Sequence, residues 1–183
     1  PPQKPPVLTE RRLITVSPPD DRGNYRIDWR CSFTAKGEDV VLDRTPPAGQ
    51  EGGKSWGGYA GLSARLAENL TEFQVLNSES KRDADAHGQK ARWTDFNALT
   101  PDGRTAGIAI FDHPSNLRYP TQWYISKKGP KKNNFSSAPL FDKPYTIGAG
   151  KTLTLKYRVL VHTARGRIKP LDAEWKAFTT GSK

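Results

Sequence analysis

The segment Thr105–Tyr124 (TAGIAIFDHPSNLRYPTQWY) gathers the side chains of this chain best suited to chemistry. A short apolar run, Gly107–Phe111, leads into Asp112, His113, Pro114, Ser115 and Asn116, then into Tyr119, Trp123 and Tyr124. An imidazole with an ordinary pKa near 6.5 suits proton transfer at neutral pH. Polar groups at the rim of a rigid strand, with aromatic surface alongside, are the raw material of a small-molecule site. Neighbouring strand residues point to opposite faces, so Asp112 is not simply the partner of His113. A carboxylate for His113 must come from another strand, and Asp95, two residues after Trp93, is the best candidate. The competing reading is structural: Asp112 and Asn116 tie the backbone of their own turn while His113 caps the strand.

Strands must position these groups. Tyr25, Ile27, Trp29, Cys31 and Phe33 alternate with polar residues, as do Leu153, Leu155, Tyr157, Val159 and Val161. Alternation of this kind marks half-buried strands. Further strands are predicted at 7–16, 39–42, 59–67, 73–76, 91–96, 105–111, 122–126 and 145–147. Turn chemistry separates them, as in Pro101-Asp-Gly-Arg and Gly148-Ala-Gly. About ten short strands at this spacing indicate an all-β, antiparallel β-sandwich. One helix is predicted at about 170–179, with Pro170 at its first position and Asp172 and Glu174 in its first turn. Leu171, Trp175 and Phe178 then form one apolar face to lie against a sheet. Residues 1–6 read as an extended linker and 7–183 as a single domain, with 77–90 a polar, mobile hairpin excursion.

Composition sets the bounds. The 183 residues carry 29 Lys and Arg against 19 Asp and Glu, a net charge of +10. The basic residues are scattered, and only Lys127–Lys132 (KKGPKK) is dense, with a turn-forming centre that suits a solvated hairpin tip. Nucleic acid is therefore an improbable partner. No stretch has the length of a membrane span. The single cysteine, Cys31, excludes disulfides within the chain and sits where a small buried hydrophobe belongs. His87, His113 and His162 lie in separate segments without metal-site spacing, so neither metal nor cofactor is expected. No Met occurs, so Pro1 is expected to follow a processing event, a truncation or a further region of a longer protein.

Several blocks carry a resemblance: Gly57-Gly-Tyr-Ala-Gly-Leu-Ser-Ala-Arg65, Arg92-Trp-Thr-Asp95, Gly107–Asn116, Ala138-Pro-Leu-Phe141, and the Leu153–Val161 strand leading to Trp175. Together they resemble an uncharacterised bacterial family catalogued as methane oxygenase PmoA-like. That resemblance implies a galactose-mutarotase-like sandwich, either whole or as a partial supersandwich, corresponding to the C-terminal part of the family's longer members. It also implies the company of bacterial sugar catabolism. It does not imply methane oxidation, which would need membrane spans and a metal site.

A sugar-derived ligand gives the remaining candidates their roles. Arg65 would clamp a carboxylate or hydroxyl through parallel hydrogen bonds, or is simply a solvated arginine. Asn116 would hold a hydroxyl, and Trp93, Trp123 and Tyr59 would stack on a ring, unless they are core. His113, Asp95 and Asp112 are the catalytic candidates. Three functions are weighed: a carbohydrate epimerase, lyase or hydrolase; a non-catalytic carbohydrate-binding or accessory sandwich; and an assembly subunit with strand edges left open for other subunits or a missing N-terminal part. A periplasmic or extracellular location is favoured slightly over a cytoplasmic one.

Overall fold

Alternating residues sort to opposite sides of one large sheet, and that sorting builds the molecule in layers. The computed structural model describes residues 5–126 and 133–181. Among them are strands β1 (Leu8–Val16), β2 (Tyr25–Ala35), β3 (Val40–Leu42), β4 (Ser63–Arg65), β5 (Thr71–Asn77) and β6 (Trp93–Leu99). There follow β7 (Thr105–Asp112), β8 (Trp123–Ser126), β9 (Asn134–Ser137), β10 (Tyr145–Ile147), β11 (Thr152–His162) and the helix α1 (Ile168–Thr180). Six strands form an antiparallel sheet in the order β1-β2-β11-β7-β6-β5. Two smaller antiparallel sheets, β4-β9-β8 and β10-β3, complete an all-β, sandwich-like fold.

The pairing of β2 with β11 shows how the pattern works. Trp29, Cys31 and Phe33 lie opposite Tyr157, Leu155 and Leu153, so the apolar sets share one face. On the other face hydroxyls pair across the strands, Ser32 with Thr154 at 2.9 Å and Thr34 with Thr152 at 2.8 Å. The apolar face packs on Trp123, Ile125, Phe135 and Ile147 of the small sheets in the main core. The opposite face, at Leu76, Trp93, Ala109 and Phe111, receives Leu171 and Phe178 of α1. The helix thus lays down the apolar face expected of it.

Several boundaries differ from the sequence reading for identifiable reasons. Segment 59–67 yields only β4, because Gly58 (φ 91°) and Gly61 (φ 87°) break the extended backbone before it. Strand β9 was not expected: all four of its residues are buried and none alternates with a wet partner. Helix α1 starts two residues earlier than predicted, so Pro170 is not at its first position and no acid lies in its first turn. Asp172 and Glu174 instead meet side chains of the sheet. Residues 77–90 are a folded turn rather than an excursion. There Asn77 Oδ1 accepts the Glu79 and Lys81 N–H groups, and Ala86 is buried. Lys127–Lys132 and the first four residues of the linker lie outside the described residues. No helix among the described residues is long and apolar enough to cross a membrane.

Candidate functional site

The six-stranded sheet divides the predicted catalytic residues between its two faces. Asp95, on β6, points to the helix side and is wholly buried. Its partner is not His113 but His162, the last residue of β11, whose Nε2 lies 2.7 Å from Asp95 Oδ1. The second oxygen, Oδ2, accepts the Asn97 amide at 2.9 Å. His162 Nδ1 lies 2.7 Å from the carbonyl oxygen of Ala164. Both ring nitrogens face acceptors, which is the geometry of an imidazolium donating twice. Burial alone would depress the His162 pKa. The hydrogen bond and charge of Asp95, with the Ala164 carbonyl, outweigh it and hold the value above 6.5. Two glycines make room for the pair: a Cβ on Gly107 would enter the His162 ring, and one on Gly166 would enter the Asp95 carboxylate.

Asp112 lies on the other face of the same sheet, inside the sandwich, also wholly buried. Its Oδ1 accepts Asn116 Nδ2 at 2.7 Å, and its Oδ2 accepts the Thr121 N–H at 3.1 Å and hydroxyl at 3.0 Å. Asn116 is locked in turn, donating to the Lys156 carbonyl and accepting the Lys156 N–H, each at 2.7 Å. Desolvation raises the Asp112 pKa to about 6 in spite of these donors. The cluster ties β7 to β11 and to the chain beyond Pro120. Asn116 is thus a buried structural amide with no group left for a ligand.

His113 separates from Asp112 as strand geometry demands. Its Nδ1 accepts the Ser115 N–H at 3.1 Å and lies 2.8 Å from the Ser115 hydroxyl. Its Nε2 is buried without a hydrogen-bond partner, and the ring packs edge-on against Phe178 at 5.3 Å. Burial, with the nearby Lys156 charge, lowers its pKa, so the ring is neutral. The proposed alliance of His113 with Asp95 is not formed, and the turn-building role is the one the geometry displays.

The aromatic candidates divide as well. Trp93 and Trp123 are wholly buried, with indole N–H groups donating to Asp172 Oδ1 at 2.8 Å and to the Ala91 carbonyl at 2.9 Å. Neither offers a face to a ligand. Tyr59 and Arg65 remain accessible. The Gly57–Gly61 segment lies close against its surroundings, since a Cβ on Gly58 would enter the Phe141 ring and one on Gly61 the Ser137 carbonyl. This close approach carries Tyr59 over the outer face of the β4-β9-β8 sheet, against Tyr124 at 5.8 Å and Trp56 at 6.3 Å. An open cleft of about 790 Å3 results, lined by Asp43, Thr45, Tyr59, Ser63 and Leu140 among others. Arg44 braces its wall, donating to the Asp142 carbonyl and the Gln50 side chain, each at 2.6 Å. Arg65 shares the exposed face of β4 with Ser63.

The sequence matches the model of a family of unknown function, DUF6807, over residues 1–176. The chain belongs to this family. No curated protein and no solved structure gives a significant match. Within this DUF6807 chain, His162 is the residue that sequence reasoning passed over, weighing it only against metal-site spacing. A signal was present in Gly107, because glycine inside a strand marks a place where another group comes close. Gly107 lies directly opposite His162 in the β7–β11 register. Among the described residues no group of three or more His, Cys, Asp or Glu has the arrangement of a metal site.

Proposed function

We propose that this chain binds a carbohydrate or sugar-derived molecule, without transforming it, in the cleft beside Tyr59. The observation that carries the reading is the cleft itself: a half-buried tyrosine next to the exposed Trp56, with the hydroxyls of Thr45 and Ser63 and the carboxylate of Asp43 within one opening. Aromatic faces take up the apolar side of a sugar ring, while short polar side chains fix its hydroxyls. Arg65, on the same strand face as Ser63, is available to a carboxylate on an oxidised sugar.

The non-catalytic form is favoured because none of the three catalytic candidates presents a polar atom to the cleft: two are fully hydrogen-bonded within the protein, and the Nε2 of His113 is buried. Asp95 and Asp112 have both oxygens hydrogen-bonded in buried surroundings, and His113 bonds only within its own turn. An epimerase, lyase or hydrolase needs a proton-transfer group within reach of its substrate. The resemblance to PmoA-like proteins and to mutarotase-type sandwiches, with their association with bacterial sugar catabolism, supports the ligand class. Calorimetric titration with a panel of neutral sugars and sugar acids tests the reading. A ligand should bind the wild type and weaken about tenfold or more with Tyr59→Ala, while His113→Ala leaves affinity unchanged. Equal affinity in the Tyr59 variant, or turnover that depends on His113, overturns it.

A second reading, an assembly subunit, has its own support in β1. This strand lies at the sheet edge and exposes Leu13 (60%), Ile14 (44%) and Val16 (59%). A monomer in solution at high concentration would remove that support.

A further inference from the structure

A second cavity, of about 400 Å3, lies on the other side of the molecule, where the loop 163–167 passes from β11 to α1. The turn before β2 forms its facing rim. Asn24 joins the two segments: its Oδ1 accepts the Thr163 N–H at 3.0 Å, and Asp20 holds Asn24 by both backbone and side-chain nitrogens at 2.9 Å. This link brings Arg22 to the same opening as Arg165 and Arg167. Leu160, Pro170 and Leu171 supply apolar wall, and His162, its Nε2 bonded to Asp95, also lines the opening.

The charges around this opening are unbalanced. Among the described residues no acidic side chain lines it. Other arginines at the edges of the fold meet acids: Arg26 with Glu174, Arg158 with Asp28, Arg92 with Asp172. By contrast, the side chains of Arg22 and Arg167 make no ion pair or hydrogen bond to any described residue, and Arg165 meets Glu72 at 3.1 Å on the surface. The first turn of α1, which opens at the same rim, has neither a capping side chain nor an acid. Like charges brought together without a counter-charge repel one another, and a bound anion relieves that repulsion. Planar guanidinium forks also suit carboxylate and phosphate oxygens geometrically.

We propose that this cavity binds a small organic anion, its carboxylate or phosphate held by Arg22 and Arg167 and its carbon body resting on Leu160, Pro170 and Leu171. The site is separate from the Tyr59 cleft and does not depend on the reading given for that cleft. The test is an NMR titration of the isotopically labelled full chain with butyrate, butyl phosphate, inorganic phosphate and, as a neutral control, butanol, at constant ionic strength. Both organic anions should shift the amide signals of residues 163–171 saturably and bind more tightly than inorganic phosphate, while butanol leaves those signals in place. The tighter of the two identifies the preferred head group. The double variant Arg22→Ala/Arg167→Ala should weaken binding about tenfold or more with Tm unchanged, since both side chains are exposed. Tyr59→Ala should leave it intact. Four results overturn the proposal: unchanged affinity in the double variant, equal affinity for inorganic and butyl phosphate, shifts scattered over basic surface elsewhere, or no saturable shift up to about 10 mM.

Discussion

Replacing Asp112 by Asn should change how stability depends on pH by an amount that follows from the site. Folding raises the Asp112 pKa from its ordinary 3.8 to about 6. Between those values the folded protein holds a proton that the unfolded chain has already released. Stability from this group is therefore fully present below about pH 3.8 and is lost as pH rises through about 6. At about 1.4 kcal/mol per unit, the loss comes to about 3 kcal/mol. The amide cannot titrate, so its stability lacks this slope. It does meet a fixed penalty. Asn116 is locked by Lys156 with its Nδ2 facing one Asp112 oxygen, and the Thr121 N–H faces the other. Either orientation of an asparagine side chain sets donor against donor, at a cost of about 1–3 kcal/mol. Urea unfolding of both proteins from pH 4 to 7.5 should show the variant less stable at pH 4. The gap should then close by about 2 kcal/mol of that total, or reverse, as pH rises to 7.5. Groups common to both proteins cancel in the difference. A gap that stays constant refutes the reasoning. A gap that widens with pH means that the three donors overcome desolvation and keep the carboxylate ionised.

His162→Gln should destabilise by about 3–5 kcal/mol, because it leaves Asp95 buried without its counter-charge, as denaturant midpoints will report. In the wild type this pair should contribute stability that is complete below pH 6.5 and declines as pH rises through the elevated His162 pKa. The Gln variant should lack that decline. Gly166→Ala should lower Tm markedly, since the added methyl enters the Asp95 carboxylate, whereas Gly103→Ala, with open space around it, should show only the smaller cost of its positive φ. Glu174→Gln should loosen α1, because Glu174 bridges Arg26 at 2.6 Å and Arg158 at 3.2 Å. Faster amide exchange in residues 168–180 is the readout.

Patterns of period two were legible in β2 and β11 because each strand has one wet face, and the helix was legible from Leu171, Trp175 and Phe178. Strand β9 was hidden because burial on both sides erases alternation. The partners of Asp95 and Asp112 were only half legible. Opposite projection from adjacent positions separated Asp112 from His113, but Asn116 was open to both a ligand and a turn reading, and its bonds to Lys156 on β11 belong to neither local pattern. The match between Asp95 and His162 spans 67 residues and depends on which strands become neighbours, a fact that no local pattern contains. Trp93 and Trp123 illustrate the same limit: an aromatic residue on a strand is read equally well as core or as a ligand platform until the layer above it is known. Tyr59 was open to the same two readings, core or platform, and only the packed structure shows it half-buried beside the cleft.

The placement of β11 governs the order in which this chain can fold. The hairpin β1-β2 and the meander β5-β6-β7 each join strands close in sequence, and neither needs the C-terminal third. Strand β11 lies between them, pairing with β2 on one side and β7 on the other. Until residues 152–162 leave the ribosome, the two halves of the sheet have facing edges and nothing to join them. Folding is therefore a late, long-range insertion, expected to be slow and to pass through species with unpaired strands. During synthesis those edges stay unpaired until β11 itself has emerged.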